Sequence, residues 1–310
     1  MSEPRLRAPF PWFGGKSRAA HLVWSAFGDV ANYVEPFAGS LAVLLARPTE
    51  PGTETVNDID CYLANFWRAV ALDPAAVAAH ADWPVNEADL HARHLSLVRN
   101  GAFRERMKTE PEFYDPRVAG WWVWGLCSWI GSGWCDPRER GDGRPSQQLP
   151  HLGNAGMGVH RKLPHLGNAG RGVFDQLSSR LRRVRVACGD WTRVLGESVT
   201  VKHGTTGVLL DPPYSEGADD LYSAHDKSLS AQVREWALDN GTNPALRIAL
   251  CGYEGEHDLP GWQVVEWKAK GGYGSQAADG NENSARERIW FSPACAKAKA
   301  QRDLFTTEAA

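Results

Sequence analysis

The run Thr206-Gly207-Val208-Leu209-Leu210 ends in Asp211-Pro212-Pro213-Tyr214, and this junction constrains the fold more than any other stretch of the chain. Its apolar residues suit a short strand buried on both faces. Proline fixes φ and lacks the amide hydrogen that a ladder needs, so the strand must stop at Leu210 and present Asp211 at its C-terminal edge. Other runs of strand length are Tyr33 to Glu35, Thr55 to Asn57, Val184 to Ala187, Arg247 to Cys251, Gln263 to Lys268 and Arg288 to Phe291. Several of them close on polar or Gly/Pro turns. Strands alternating with helical patterns predict an α/β domain with a mostly parallel sheet covered on its faces.

A different pattern interrupts that alternation. Pro74 to Trp134 reads as helical: Ala-rich Pro74 to Ala81 is followed by Asn86, an N-cap candidate with Asp89 three residues on, and then by Leu90, Leu97 and Val98 on one face. Trp121, Trp122, Trp124, Trp129 and Trp134 crowd into fourteen residues. Tryptophans at that density fill a core more readily than they build a base-stacking platform. Next comes an internal repeat, Pro150 to Gly156 recurring as Pro164 to Gly170, whose glycines and asparagines mark loops or paired turns. Two copies at a period of fourteen are too few for a solenoid. The chain therefore divides into an α/β domain built from residues 1–70 and 187–310 and an inserted, mainly helical and loop block at residues 71–186.

Composition narrows the function classes. With 310 residues, 43% hydrophobic and 23% charged, the chain is a folded globular protein rather than a disordered or collagen-like one. No apolar run reaches the roughly 18 residues of a spanning helix, and Met1 to Phe10 carries no apolar segment of a secretory signal. The six cysteines form no CxxC pair, which argues against a zinc knuckle or a redox motif; reduced thiols in a cytoplasmic protein are the expectation. A net charge of -3 disfavours coating of nucleic acid by bulk positive charge. Yet Gly143 to Val186 holds eight basic residues against one acid, Asp175, so a basic segment sits in an acidic frame.

Three further stretches join Asp211 to Tyr214 as carriers of chemistry. At that first junction, a carboxylate and a carbonyl at a strand edge can accept both hydrogens of an exocyclic amine while the tyrosine stacks on a planar ring. Aspartate before Pro-Pro is also ordinary turn chemistry. Tyr33-Val34-Glu35-Pro36-Phe37-Ala38-Gly39-Ser40-Leu41-Ala42-Val43 reads as a strand turning through small residues into an apolar helix, with Gly39 letting a ligand approach the backbone. No GxGxxG and no Walker motif is present, so neither a dinucleotide nor a nucleoside triphosphate is called for. Nineteen residues after Gly39, Asp58 ends the next strand, where an acid can bind ribose hydroxyls; Asp58 or Asp60 can instead cap a helix beginning near Cys61. Pro11-Trp12-Phe13-Gly14-Gly15-Lys16 combines an aromatic, two glycines and a cation, and taken alone is also a solvated turn.

In their order, Trp12 to Lys16, Glu35 to Gly39, Asp58, a long block and then Asp211 to Tyr214, these motifs resemble the Dam-type adenine-specific (N6) DNA methyltransferases. The resemblance covers residues 9–72 and 186–292. It implies a Rossmann-like, S-adenosylmethionine-dependent methyltransferase fold in which the block at residues 71–186 is the target-recognition domain. The activity implied is transfer of a methyl group from S-adenosylmethionine to N6 of an adenine flipped out of double-stranded DNA, with no metal. Residue by residue, Trp12, Lys16, Asp58 and Asp211 would contact the cofactor, with Gly15, Glu35, Pro36, Phe37 and Gly39 shaping its pocket. Asp211, Pro212, Pro213 and Tyr214 would hold the adenine. Arg144, Arg161, Lys162, Arg171, Arg180, Arg182 and Arg183 would meet phosphates, the plainer reading being a solvated charged face. A cytoplasmic monomer, with a dimer as the alternative, encoded by a bacterium or phage, completes the expectation.

The chain departs from the family at identifiable places. Leu41 stands where many relatives have a second glycine, and Asp58-Ile59-Asp60 stands where Asp-Ile-Asn is familiar. The middle block and its repeat have no counterpart in the family's usual recognition domain. Two rival functions remain beside the main one: transfer to the exocyclic amine of cytosine, and a DNA-binding module without turnover, which Leu41 favours. Transfer to a glutamine amide goes with asparagine in the position of Asp211 and is disfavoured. The Gly-rich and polar stretch Lys270 to Arg288 is expected as a hairpin loop near the DNA, and Ala294 to Ala310 as a short helix or frayed end.

Overall fold

The computed structural model describes residues 6–12, 16–129, 134–135, 168–213, 224–267 and 286–295. Seven strands, β1 (Asn32–Glu35), β2 (Thr53–Asp58), β3 (Arg185–Cys188), β4 (Thr206–Leu210), β5 (Leu246–Tyr253), β6 (Gln263–Glu266) and β7 (Glu287–Phe291), form a sheet in the order β3-β2-β1-β4-β5-β7-β6. The pairs β1 with β4, β2 with β3 and β4 with β5 are parallel, whereas β7 runs antiparallel to β5 and β6. Each run expected as a strand is one, with ends displaced by at most two residues. β1 and β4 are neighbours although most of the chain's first two hundred residues separate them. The strand order reverses there, and open α/β sheets bind ligands beyond the carboxyl ends of strands at such a point.

One expected element does not form. The segment after Phe37, read as an apolar helix, is a series of turns with a single 3₁₀ turn at Leu44–Ala46. Gly39 has φ 46° and Leu41 φ 53°, and two left-handed residues so close together cannot belong to a right-handed helix.

The chain packs as two compact units: Met1–Gly15, Pro36–Leu45 and Glu54–Gly196 make the first; Lys16–Glu35, Ala46–Thr53 and Glu197–Ala310 make the second. In the first unit, α2 (Cys61–Leu72), α3 (Pro74–Ala81), α4 (Glu87–Val98), α5 (Gly101–Thr109) and α6 (Pro116–Ser128) each start at an Asp or Asn whose side chain accepts from the first turn. Such caps satisfy amides that have no partner inside the helix. Asn86 caps α4 as its sequence predicts, and Leu90 and Leu97 are buried. The tryptophan cluster is largely core: Trp122, Trp124 and Trp129 are buried, while Trp121 and Trp134 are half-buried. Gly120 lets α6 lie against α3, since a Cβ there would stand 2.4 Å from Cβ of His80. α7 (Asn168–Leu181) packs on α2 and α3, and the Phe10 ring lies 5.2 Å from both Phe66 and Trp122.

The second unit carries β1, β4, β5, β6 and β7 with α1 (Ala20–Phe27) and α8 (Ala224–Asn240). β1 and β4 are buried along their whole length, as the apolar sequence of β4 requires. The Asn32 amide fixes the start of β1, donating to the Val199 carbonyl at 2.7 Å and to Thr206 Oγ1 at 3.1 Å. At the opposite ends of these strands stand Glu35 and Asp211.

Candidate active site

In the first unit the loop after Pro36 is latched to the end of β2. Gly39 N donates to Asp58 Oδ2 at 3.1 Å, Asp60 N donates to Asp58 Oδ1 at 2.9 Å, and Ala38 N donates to the Asn57 carbonyl at 2.8 Å. The two aspartates divide the work that the sequence left open between them: Asp60 caps α2, accepting from Tyr62 N at 2.8 Å, and Asp58 is left as the acid at the strand end. Burial first, then the Asp60 carboxylate, push the Asp58 carboxyl up to about 7. Gly39 is left-handed, and a Cβ on it would stand 2.7 Å from Trp12 Nε1. Its carbonyl accepts from Trp67 Nε1 at 3.0 Å.

Near the end of β2 the half-buried Phe37 ring presents an apolar surface backed by buried Trp191, which sequence reading missed. The Phe37 and Trp191 rings stack at 6.0 Å with 22° between their planes. Trp191 follows the end of β3, where Gly189 N donates to the Asp58 carbonyl at 3.0 Å and the Asn57 side chain donates to the Gly189 carbonyl at 3.0 Å. Ile59 is exposed next to Asp58. The signal that could have found this surface is the acid-aromatic pair Asp190-Trp191 directly after a strand.

In the second unit the structure brings Lys16 to Asp211. Lys16 is buried, and its Nζ lies 2.9 Å from Asp211 Oδ1, 3.9 Å from Glu287 Oε2 and 5.6 Å from the centre of the Trp267 ring. Burial works against the ammonium, but Asp211 and Glu287 outweigh it and hold Lys16 charged, above its ordinary value. Asp211 leaves β4 at the edge predicted, followed by buried Pro212 and exposed Pro213. Cys251 continues β5 just past the Leu210 and Leu250 pair, and burial followed by the Asp211 carboxylate raises its thiol. Glu35 is buried at the end of β1 and accepts from the Tyr33 hydroxyl at 3.0 Å. Glu287 was not singled out by sequence, because a lone Glu at the head of an apolar strand carries no local mark.

The basic candidates separate by environment. Arg180 on α7 forms a two-pronged ion pair with buried Glu54, at 2.6 and 2.8 Å, and also donates to the Leu44 carbonyl at 2.9 Å. Arg182 and Arg183 are exposed just past the helix end. Tyr214, Gly15, Arg144, Arg161, Lys162, the PHLGNAG repeat up to residue 167, most of the stretch from 270 to 288 and the tail from 296 lie outside the described residues, as does the side chain of Arg171; the last three residues of the second copy, Asn168 to Gly170, open α7 rather than a loop. A surface cavity of about 430 Å³ lies among Ala79, His80, Trp83, Asp89, Arg93 and Trp121, and no candidate site residue lines it. Among the described residues no group of three or more His, Cys, Asp or Glu is placed to hold a metal, and no helix is long and apolar enough to cross a membrane.

The strand order, the antiparallel β7 and the acids at the ends of β2 and β4 define a Rossmann-like methyltransferase fold. Residues 12–114 match the family model of the D12 class N6 adenine-specific DNA methyltransferases, so this stretch is similar to that family. No curated protein sequence matches it.

Proposed function

We propose that the chain transfers a methyl group from S-adenosylmethionine to N6 of an adenine turned out of double-stranded DNA. The observation that carries the reading is the acid at the end of β4: Asp211, next to the Pro212 carbonyl and oriented by the buried Lys16 ammonium at 2.9 Å. The residues suit the cofactor, because an adenosine needs an acid for its ribose hydroxyls and a flat apolar face for its ring. Asp58 offers the first, and the half-buried Phe37 ring, backed by Trp191, the second. S-Adenosylmethionine, when bound, supplies a methyl group already activated by a positively charged sulfur.

The chain's own part is to hold and to aim. Asp58 accepts from the ribose hydroxyls, and Trp12, Pro36 and Gly39 shape the loop beside it; Gly15 and Glu35 are proposed as further cofactor-binding residues. Asp211 and the Pro212 carbonyl accept the two hydrogens of the adenine amine. That nitrogen is a poor nucleophile while its lone pair is delocalised into the ring; with both hydrogens held it pyramidalises and the lone pair is aimed at the methyl carbon. Preorganised positioning of this kind contributes roughly 7 to 11 kcal/mol in favourable cases. Turning the base out costs roughly a few kcal/mol of stacking and pairing, and Tyr214 returns part of it by stacking on the ring. Residues 71–186 serve as the target-recognition block. Its phosphate contacts come from exposed Arg182 and Arg183 together with Arg144, Arg161, Lys162 and Arg171. The protein works as a cytoplasmic monomer.

The test is transfer of labelled methyl from S-adenosylmethionine to unmethylated DNA, followed by nucleoside analysis. Label on N6 of adenine is expected, and Asp211→Ala is expected to lose about a hundredfold or more in rate while its circular dichroism stays native. Full activity in that variant removes Asp211 from the chemistry, and label on cytosine refutes the choice of base.

A further inference from the structure

We propose that Glu287, at the head of β7, is a positioning residue for the transfer: it takes a share of the Lys16 ammonium and so keeps Asp211 a strong acceptor for the amine hydrogens. The inference rests on the function proposed for Asp211. Lys16 Nζ lies 2.9 Å from Asp211 Oδ1 and 3.9 Å from Glu287 Oε2, so one ammonium is divided between two carboxylates. Glu287 is nearly as enclosed as the lysine, the two side chains being 6% and 5% exposed. Its neighbour Arg288 points to the opposite face, as the two-residue period of a strand requires, and is engaged by Glu254 at 2.9 Å and Glu266 at 3.4 Å. The Trp267 ring, 5.6 Å from Nζ, closes a further side of the ammonium.

The physical consequence concerns how much negative charge Asp211 retains. An ammonium shared with no other acid would sit wholly against Asp211 and compete with the amine N–H groups for its lone pairs. A second carboxylate draws the ammonium towards itself, and with both acids ionised the three side chains carry a net negative charge. A charge-assisted acceptor binds N–H donors more strongly than a neutralised one. Among the described residues, the titratable groups around Asp211 include Lys16, Cys251 on β5 and Glu287 on β7, with Glu35 at the end of β1 also acting on Cys251.

Glu287→Gln keeps the size of the side chain and removes its charge. Asp211 then faces an ammonium that Glu287 no longer shares. kcat should fall about tenfold, while the KM for DNA and the Kd for cofactor stay unchanged. Glu287→Asp, which restores the charge, should recover part of the rate. The nitrogen-15 resonance of the Lys16 ammonium in the cofactor-free protein, assigned by its loss in Lys16→Arg, reads the sharing without turnover and should move in Glu287→Gln. An unmoved Lys16 resonance in Glu287→Gln overturns the proposal, and so does a moved resonance with unchanged kcat or a loss confined to cofactor affinity. An inactive wild type sinks the function proposed for Asp211 instead, whereas the Lys16 resonance still decides whether Glu287 shares the ammonium.

Discussion

Arg180 lies in the most basic segment of the chain, yet it is expected to hold the protein together rather than to hold DNA. Its guanidinium meets both oxygens of Glu54 at 2.6 and 2.8 Å and donates to the Leu44 carbonyl at 2.9 Å, and the Glu54 side chain is only 2% exposed. Arg180→Met would leave a buried carboxylate without its cation, a change that costs about 3 to 5 kcal/mol. Against a total stability of roughly 5 to 15 kcal/mol, that is a large fraction. At about 2 to 4 °C per kcal/mol for a chain of this size, Tm should fall by about 6 to 20 °C. Thermal unfolding followed by circular dichroism measures the loss. The double variant Glu54→Leu with Arg180→Met should be more stable than Arg180→Met alone, because the buried carboxylate is removed together with this cation. DNA affinity, read by fluorescence anisotropy across a salt series at a temperature where every variant is folded, should be nearly unchanged in Arg180→Met. Replacing exposed Arg182 and Arg183 should instead flatten the salt slope by about two. A variant at Arg180 with native Tm and lost DNA affinity would refute the reasoning.

Two other predictions concern the loop and acid of the first unit. Because the Asp58 carboxyl is pushed up to about 7, the folded state holds its proton more tightly than the unfolded chain, so this group lowers stability progressively as pH rises from about 4 to about 7. Tm measured over that range should therefore fall more steeply in the wild type than in Asp58→Asn, and equal slopes would contradict the assignment. Leu41 is fully buried at φ 53°, so Leu41→Gly removes packing worth about 2 to 5 kcal/mol but relieves about 1 to 2 kcal/mol of left-handed strain. A net loss of about 0 to 4 kcal/mol in denaturant unfolding is expected, and a stabilised variant would show that the leucine packs poorly.

The legible parts of the fold were those written in neighbouring residues. β4 ends where Pro212 and Pro213 forbid a ladder, and α4 begins where Asn86 can cap it; both rules act within a few residues, so the sequence displays them. The loop after β1 was misread because its small and apolar residues suit a helix equally well. What decides it is the latch from Gly39 N to Asp58, nineteen residues away, together with the left-handed Leu41. That also gives the missing glycine a physical meaning: the position demands positive φ, which glycine meets freely and leucine meets only because its side chain is locked in the core. Glu287 was not singled out, and Arg180 was expected on phosphate rather than in an ion pair, for the same kind of reason, since each is defined by a partner far away in sequence, Lys16 in one case and Glu54 in the other.

The two cation-carboxylate pairs show why one is built with arginine and the other with lysine. A guanidinium presents a rigid fork, so Arg180 covers both oxygens of Glu54 and adds a third bond to a carbonyl. A carboxylate clamped in that way is a good structural tie and a poor acceptor for anything else. An ammonium is a point charge that reaches one oxygen at close range, and Lys16 approaches Oδ1 of Asp211 while Glu287 draws on the same charge. Asp211 keeps its side chain 21% exposed, whereas Glu54 keeps 2%. A residue that must release and take up the hydrogens of successive amines needs the looser arrangement, with orientation supplied by the buried lysine and acceptor strength preserved by the second acid. The choice of cation therefore separates scaffold from chemistry in this chain more reliably than the density of basic residues along its sequence.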